Sequence, residues 1–233
     1  MRYHASYYQE GILMPVRLSS LSCFLAAALL LPGPASAFDT PLSDTAVREA
    51  YFLGQRHDET FARFLDKYTK RLPAPKTGPY ISSVTFFTPF ALLVQQSSQH
   101  TVGYSAQQAQ LDHRGQEESV KILVQILLTD SYGALIPRPA SSRSSSPTGY
   151  ILRPYDFWKD FEVQVFTGDK ALRPFTSSGE PNFICDEGGC TLTGATLWFE
   201  FPANAFSSGT VSVRVDPPVG DQVTVEFDPS SLR

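Results

Sequence analysis

The sequence predicts a mainly β protein: an antiparallel two-sheet sandwich, immunoglobulin-like in general architecture, preceded by a short N-terminal helical segment. Apolar residues recur at helical spacing between residues 43 and 71. Beyond Tyr80 the apolar period shortens to two in one segment after another, with turn-forming residues between the segments. Strands with one buried and one wet face are typical of antiparallel sheets, and two packed sheets would accommodate about seven to nine of them.

Residues 1–37 are expected to be a secretory signal peptide. Arg17 provides the positive flank, an apolar stretch covers residues 18–31, and the small residues Ala35-Ser36-Ala37 precede Phe38. This order of features is that of a cleaved signal. We therefore expect an exported protein, periplasmic or extracellular, whose mature chain begins at Phe38.

A membrane-spanning helix is the competing interpretation of the same stretch. Such a helix needs about 20 apolar residues, whereas the uninterrupted run covers only residues 24–31 and is followed by Pro32-Gly33-Pro34. Because proline breaks a helix, we expect no stable membrane insertion after signal cleavage. The residues before Met14 do not resemble a signal flank, which leaves Met1 and Met14 open as the start of translation.

The charge of the mature chain disfavours nucleic acid as a partner. Without the signal, 17 basic residues stand against 22 acidic ones, and no cluster of Lys and Arg occurs. Nucleic-acid binding depends on such clusters. The sequence also lacks Gly-rich phosphate loops and dinucleotide fingerprints, so no cofactor is expected.

Cys185 and Cys190 are the only cysteines of the mature chain, because Cys23 lies within the signal. In an oxidising compartment such a pair is expected to form a disulfide. A zinc site would need about four ligands, and the sequence offers no second pair of cysteines. Calcium binding at Asp186 and Glu187 is the weaker alternative to a solvated turn.

Residues 38–79 are predicted to form the helical segment and a proline-rich connection. Ser43 is a suitable N-cap for a first helix, while Gly54 and a second cap at Asp58 divide the pattern into two helices. Pro73 and Pro75 prevent the second helix from continuing.

Residues 80–233 are predicted to form the sandwich domain. Alternating strands are expected around residues 84–94, 120–128, 161–165, 197–201, 211–215 and 223–227, and weaker ones near 101–106, 150–153 and 183–193. Turns are expected at 167–170, 177–180, 207–209 and 219–221. The Ser-rich stretch 139–149 is too polar to bury and predicts a flexible surface loop. The immunoglobulin likeness is architectural only, because the Cys, Trp, Cys spacing of antibody domains is absent.

No residue pattern in the sequence predicts catalysis. Ser105, Asp112 and His113 are close together, but Ser105 lacks the glycine frame of a nucleophile elbow. Carboxylates on separate strands remain candidates, since a glycosidase pair needs no fixed spacing; these are Glu162, Glu200 and Glu226. We therefore predict that the protein is not an enzyme, with a hydrolase acting on glycan or peptide as the alternative.

Aromatic residues beside polar turns favour a binding function, because exposed Tyr and Trp contribute large contact areas. The candidate binding surface comprises Tyr104, Tyr132, Tyr150, Tyr155 and Trp158. Packing in the core or at the ends of the sandwich is the alternative role for these rings. The sequence thus predicts an exported, non-catalytic protein that binds an envelope or extracellular partner, either a protein or a polysaccharide. A structural or assembly role is a further alternative, which a long uncovered edge strand would favour.

Overall fold

The computed structural model describes residues 38–100, 103–138, 149–206 and 209–233, which belong to one compact unit. Strands predominate in this part of the chain, and its strand pairs are antiparallel. The predicted signal peptide lies outside the described residues. So do the Ser-rich loop, apart from Gly149, and the two serines of the 207–209 turn.

The predicted pair of N-terminal helices is confirmed, but the helical pattern was expected to extend to residue 71. The second helix ends at Asp66, and Thr69–Arg71 form a short strand instead. Ser43 caps the first by accepting a hydrogen bond from the N–H of Ala46, and Asp58 caps the second by accepting from the N–H groups of Thr60 and Phe61. Two more α-helices follow within the described ranges. The four are α1 Asp44–Gly54, α2 Glu59–Asp66, α3 Pro89–Gln99 and α4 Ala106–His113. None of the helices in the described ranges is long and apolar enough to span a membrane.

Eleven strands form three sheets in the described part of the chain. The strands are β1 Thr69–Arg71, β2 Tyr80–Phe87, β3 Ser119–Leu127, β4 Leu135–Pro137, β5 Tyr150–Leu152, β6 Glu162–Thr167, β7 Lys170–Leu172, β8 Thr176–Asp186, β9 Gly189–Pro202, β10 Val211–Asp216 and β11 Val223–Phe227. The first sheet has the order β1-β2-β3-β9-β8, the second β11-β10-β6-β7, and β4 and β5 form a separate hairpin. Hairpin turns join β6 to β7 and β10 to β11, as predicted for residues 167–170 and 219–221.

One hydrophobic core contains side chains from both large sheets. Phe86 of β2 stacks on Phe227 of β11 with ring centroids 5.5 Å apart, and Phe206 contacts Phe86 edge-on at 5.4 Å. The buried side chains of β3 and β10 alternate along the strand, as the period of two predicted. They include Val120, Ile122, Val124 and Ile126 from the first sheet, and Val211, Val213 and Val215 from the second.

The helices form a second cluster, in which α1 packs against α3 through Val47, Ala50 and Val94. Gly54 at the end of α1 lies so close to the carbonyl of Val94 that no Cβ would fit. Gly54, which the sequence predicts to divide the helical segment, is therefore also required for packing.

The prediction of one strand through residues 84–94 was wrong, because β2 gives way to α3 at Thr88. The hydroxyl of Thr88 caps the helix by accepting from the N–H of Ala91 at 3.2 Å, and Pro89 fits the first turn because it needs no N–H there. Phe90, Leu92 and Val94 occupy alternate positions, as residues on one face of a strand would, but this spacing is a coincidence. The buried side chains of α3 instead follow the helical period: Phe90, Ala91, Leu93, Val94 and Ser97.

Two further predictions of local structure were wrong. Residues 177–180 do not form a turn but lie inside β8, paired with residues 196–199 of β9. The weak strand near residues 101–106 is replaced, where the chain is described, by the start of α4. There Ser105 is the N-cap and accepts from the N–H of Gln108. In both segments the Ser and Gly residues are compatible with a turn, a strand or a helix cap. Pairing with β9 makes residues 177–180 part of a strand, and capping by Ser105 starts a helix in the other segment.

Candidate binding surface

The five aromatic residues predicted to bind a partner lie in different environments. Tyr150 and Tyr155 are exposed, at 69% and 55%. Trp158 is half-buried. Tyr104 lies apart from them, against the helices, where it stacks on His100 at 4.1 Å. Tyr132 is buried in the core and cannot present its ring to a partner.

Tyr132 supports the base of the β4–β5 hairpin. The guanidinium carbon of Arg153 lies 3.6 Å from the centroid of the tyrosine ring, and its Nε donates to the carbonyl of Gly133 at 2.8 Å. The N–H of Arg153 donates to the carbonyl of Ala134, which extends the hairpin ladder. Burial raises the pKa of Tyr132, and the positive charge of Arg153 opposes this rise. The buried tyrosine therefore has a structural role beneath the hairpin.

The β4–β5 hairpin exposes one largely apolar face. Leu135 pairs with Leu152, and Pro137 pairs with Tyr150. Alternate residues of a strand point to the same side, so these four side chains share a face. Leu135 is 59% exposed and Leu152 63%. The opposite face, formed by Ile136 and Ile151, is half-buried.

The tip of the β8–β9 hairpin adds further exposed apolar side chains. Phe183 contacts Tyr155 edge-on with centroids 5.3 Å apart, and Ile184 is 66% exposed. Cys185 and Cys190 are joined by the predicted disulfide, directly across the two strands. We call the exposed residues of these two hairpins and the segment after β5 the apolar surface; it consists of Leu135, Tyr150, Leu152, Tyr155, Phe183 and Ile184.

Trp158 covers the core-side face of β8. A Cβ placed on Gly179 would lie 2.7 Å from two ring carbons of Trp158, so the ring and the strand approach as closely as glycine permits. Because side chains project perpendicular to a sheet, the ring lies over the face of β8 and not beside its edge.

The strand glutamates do not form a common site. Glu200 of β9 pairs with Lys121 at 3.1 Å. Glu162 and Glu226 are exposed on β6 and β11, and β10 lies between these two strands. In the same turn region as the disulfide, Asp186 accepts from the N–H of Gly188 at 2.8 Å, as expected of a solvated turn. The described residues contain no group of three or more His, Cys, Asp and Glu that could hold a metal ion.

Ser105, Asp112 and His113 have separate local roles. Ser105 caps α4, and Asp112 accepts from the side-chain amide of Gln108 at 2.6 Å. His113 instead contacts the carboxylate of Glu118, which was not among the residues predicted to form a site. The Nε2 atom of His113 lies 3.0 Å from Oε1 of Glu118.

Glu118 is a largely buried carboxylate, with its side chain only 8% exposed. Its Oε1 also accepts from the N–H of Leu42 at 2.6 Å, and its Oε2 accepts from the hydroxyl of Thr40 at 2.6 Å. These partners lie more than 70 residues away in the chain. Glu118 therefore fastens the segment before α1 to the start of β3, a role that no local sequence signal indicates.

No protein-family model matches this chain. The comparison with curated proteins likewise finds no significant match.

Proposed function

We propose that this protein is an exported, non-catalytic β-sandwich protein that binds an envelope or extracellular partner through the apolar surface. One observation carries the proposal. Among the described residues, ten large apolar side chains are exposed, and six of them belong to the apolar surface. Scattered exposed apolar residues are normal on a protein, but a concentration of them is typical of an interaction site.

The sandwich arrangement is supported by the shared core. Phe86 and Phe227 come from different sheets and stack on each other. Buried valines of β10 and isoleucines of β3 belong to the same hydrophobic cluster. Two sheets that bury their apolar faces against each other satisfy the same requirement as in other β-sandwiches.

Export is supported by the signal-like sequence and is compatible with the disulfide between Cys185 and Cys190. Disulfides persist in oxidising compartments such as the periplasm and the extracellular space. The bridge lies on exposed residues next to Phe183 and Ile184, so it also holds part of the proposed binding surface in place.

A protein partner suits the surface better than a polysaccharide. Leu135, Leu152 and Ile184 have no hydrogen-bonding groups, whereas a sugar needs polar partners for its hydroxyls. Aliphatic and aromatic anchors are typical of the centre of a protein–protein interface.

Photo-crosslinking in the source cells tests this proposal. A photoreactive amino acid placed at Tyr150 or at Leu152 should give a discrete adduct with one partner protein. The same group at Phe52, which is 56% exposed on α1, is the matched control and should not give that adduct. Adducts that are identical at Phe52 and Tyr150, or none at the hairpin positions, would contradict the proposal.

The hydrolase alternative is tested with the purified mature protein. We expect no turnover on panels of glycan and peptide substrates. Sustained turnover that is abolished by Glu162→Gln, Glu200→Gln or Glu226→Gln would replace the binding proposal with the enzymatic one.

An assembly role is the second candidate function, and a specific observation favours it. The strand β8 lies at the end of the five-stranded sheet and has 11 residues, which makes it a long edge strand. Long edges are the usual sites at which a second chain extends a sheet.

A further inference from the structure

The unpaired edge of β8 indicates how a partner could bind next to the apolar surface. Within the described ranges, β8 pairs with β9 alone. No described strand pairs with its other edge, and Trp158 covers a face of the strand and not this edge. Backbone N–H and C=O groups along such an edge are available to a further strand.

The edge of β8 has two stretches. Pro181 lacks an N–H, and the register with β9 shifts between Asn182 and Phe183; both features interrupt strand pairing. The first stretch covers residues 176–180, about 17 Å of extended chain. The second covers residues 183–186 and includes Phe183 and Ile184 of the apolar surface.

The charge of β8 indicates what kind of chain would pair with it. Glu180, Asp186 and Glu187 are exposed acidic residues on this strand and its turn, and residues 176–202 contain no Lys or Arg. Edge strands are commonly protected against pairing by lysine, proline or a bulge, and residues 176–180 contain none of these three. An extended segment with Lys or Arg would complement this charge, and apolar residues within it would meet Phe183 and Ile184.

We propose that the partner adds an extended strand to the edge of β8, and that this segment alternates basic and apolar residues. The inference rests on the proposed function, and it specifies the segment that enters the site and the way in which it binds. The partner's backbone pairs along residues 176–180, and its chain continues beyond Pro181 to the apolar surface. Its basic side chains lie near Glu180 and Asp186.

The probe for this proposal is a fluorescein-labelled, amidated peptide of alternating Lys and Val, seven residues long. Fluorescence polarisation with the mature protein should show saturable binding that weakens as salt is added. Hydrogen exchange of the backbone amides in residues 176–180 should slow on binding. The same peptide with N-methyl groups on its central five residues keeps its side chains but cannot pair, and it should not bind.

Charge reversal supplies the matched variants. Glu180→Lys combined with Asp186→Lys should weaken binding of the Lys–Val peptide by about tenfold and should improve binding of a Glu–Val peptide. Glu162→Lys combined with Glu226→Lys reverses two exposed strand carboxylates on the other large sheet. This control should leave the affinity within about twofold.

Three results would overturn strand addition at β8: no saturable binding of the Lys–Val peptide, equal binding of its N-methylated form, or unchanged exchange in residues 176–180. Failure here is distinguishable from failure of the proposed function. Leu135→Ser combined with Leu152→Ser should abolish the cellular crosslink, yet leave the peptide bound to β8.

Discussion

Replacing Glu118 by alanine is expected to destabilise the protein by about 3 kcal/mol. The carboxylate is largely buried and accepts hydrogen bonds from Thr40, Leu42 and His113. Hydrogen bonds to a charged group contribute about 1.5–3 kcal/mol each, and removing the acceptor leaves the N–H of Leu42 and the hydroxyl of Thr40 unpaired. The cost of burying the carboxylate is recovered at the same time, so the three contributions do not add in full.

The assay is urea unfolding of the mature protein, with the melting temperature as a second readout. For a chain of this size, 3 kcal/mol corresponds to a fall of about 6–12 °C. Glu118→Gln retains one acceptor oxygen and should lose about half as much stability. Glu117 is the matched control, because it is the adjacent residue and is exposed; Glu117→Ala should change stability by less than about 0.5 kcal/mol.

Hydrogen exchange distinguishes this explanation from a general loss of packing. The amide of Leu42 should exchange faster in Glu118→Ala than in the native protein, while amides in the centre of β3 keep their order of protection. A change in unfolding free energy below 0.5 kcal/mol for Glu118→Ala, or an equal loss for Glu117→Ala, would refute the reasoning.

Four other outcomes are expected. Reduction of the Cys185–Cys190 bridge should lower the unfolding free energy by about 2 kcal/mol without abolishing the fold, because the closed loop is short; thiol labelling of native, non-reduced protein would contradict the bridge. Gly179→Ala should cost about 2 kcal/mol in urea unfolding, since its Cβ would collide with Trp158, whereas a neutral result would show that the ring moves freely. Burial raises the pKa of Tyr132 above its usual 10.0, so Tyr132 ionises at lower pH in the unfolded chain than in the folded protein. The unfolding free energy should therefore fall as the pH rises above 10, and it should fall less steeply in Tyr132→Phe than in the native protein. In limited trypsinolysis the first cut should follow Arg143, and a first cut inside a strand would argue against a Ser-rich surface loop there.

The strands were predictable where burial imposed strict alternation. Val211, Val213 and Val215 have buried side chains on one face of β10, and polar residues separate them in the sequence. Such a pattern has only one way to bury its apolar side chains in a sheet. The caps at Ser43 and Asp58 were likewise predictable, because a cap depends on residues within three positions of it.

Errors arose where two periods fitted the same residues. Phe90 and Val94 are four residues apart, a spacing that suits both one face of a strand and one face of a helix. The decisive signal was the Thr88-Pro89 pair, which favours a helix start. That pair marks the boundary between β2 and α3 more reliably than the alternation of apolar residues.

The candidate binding surface was predictable only in part. Tyr150 and Tyr155 were selected because they lie beside polar turns, and both are exposed. The same criterion selected Tyr132, which is buried beneath Arg153. Leu135, Leu152 and Ile184 were not predicted to be exposed, because an exposed aliphatic residue has the same sequence pattern as a buried one. Which face of a hairpin meets the core depends on tertiary packing, and no local pattern reveals it.

The direct junction between β2 and α3 limits where this chain can be shortened. The strand ends at Phe87 and the helix begins at Pro89, so no loop separates the sheet from the helical cluster. The buried side chains of α3, among them Phe90 and Val94, meet α1. A fragment starting at residue 80 would therefore retain α3 while losing the helix that covers it. The uncovered apolar face would then promote aggregation, so fragments intended for binding or crystallisation studies should retain the residues from Phe38 onward.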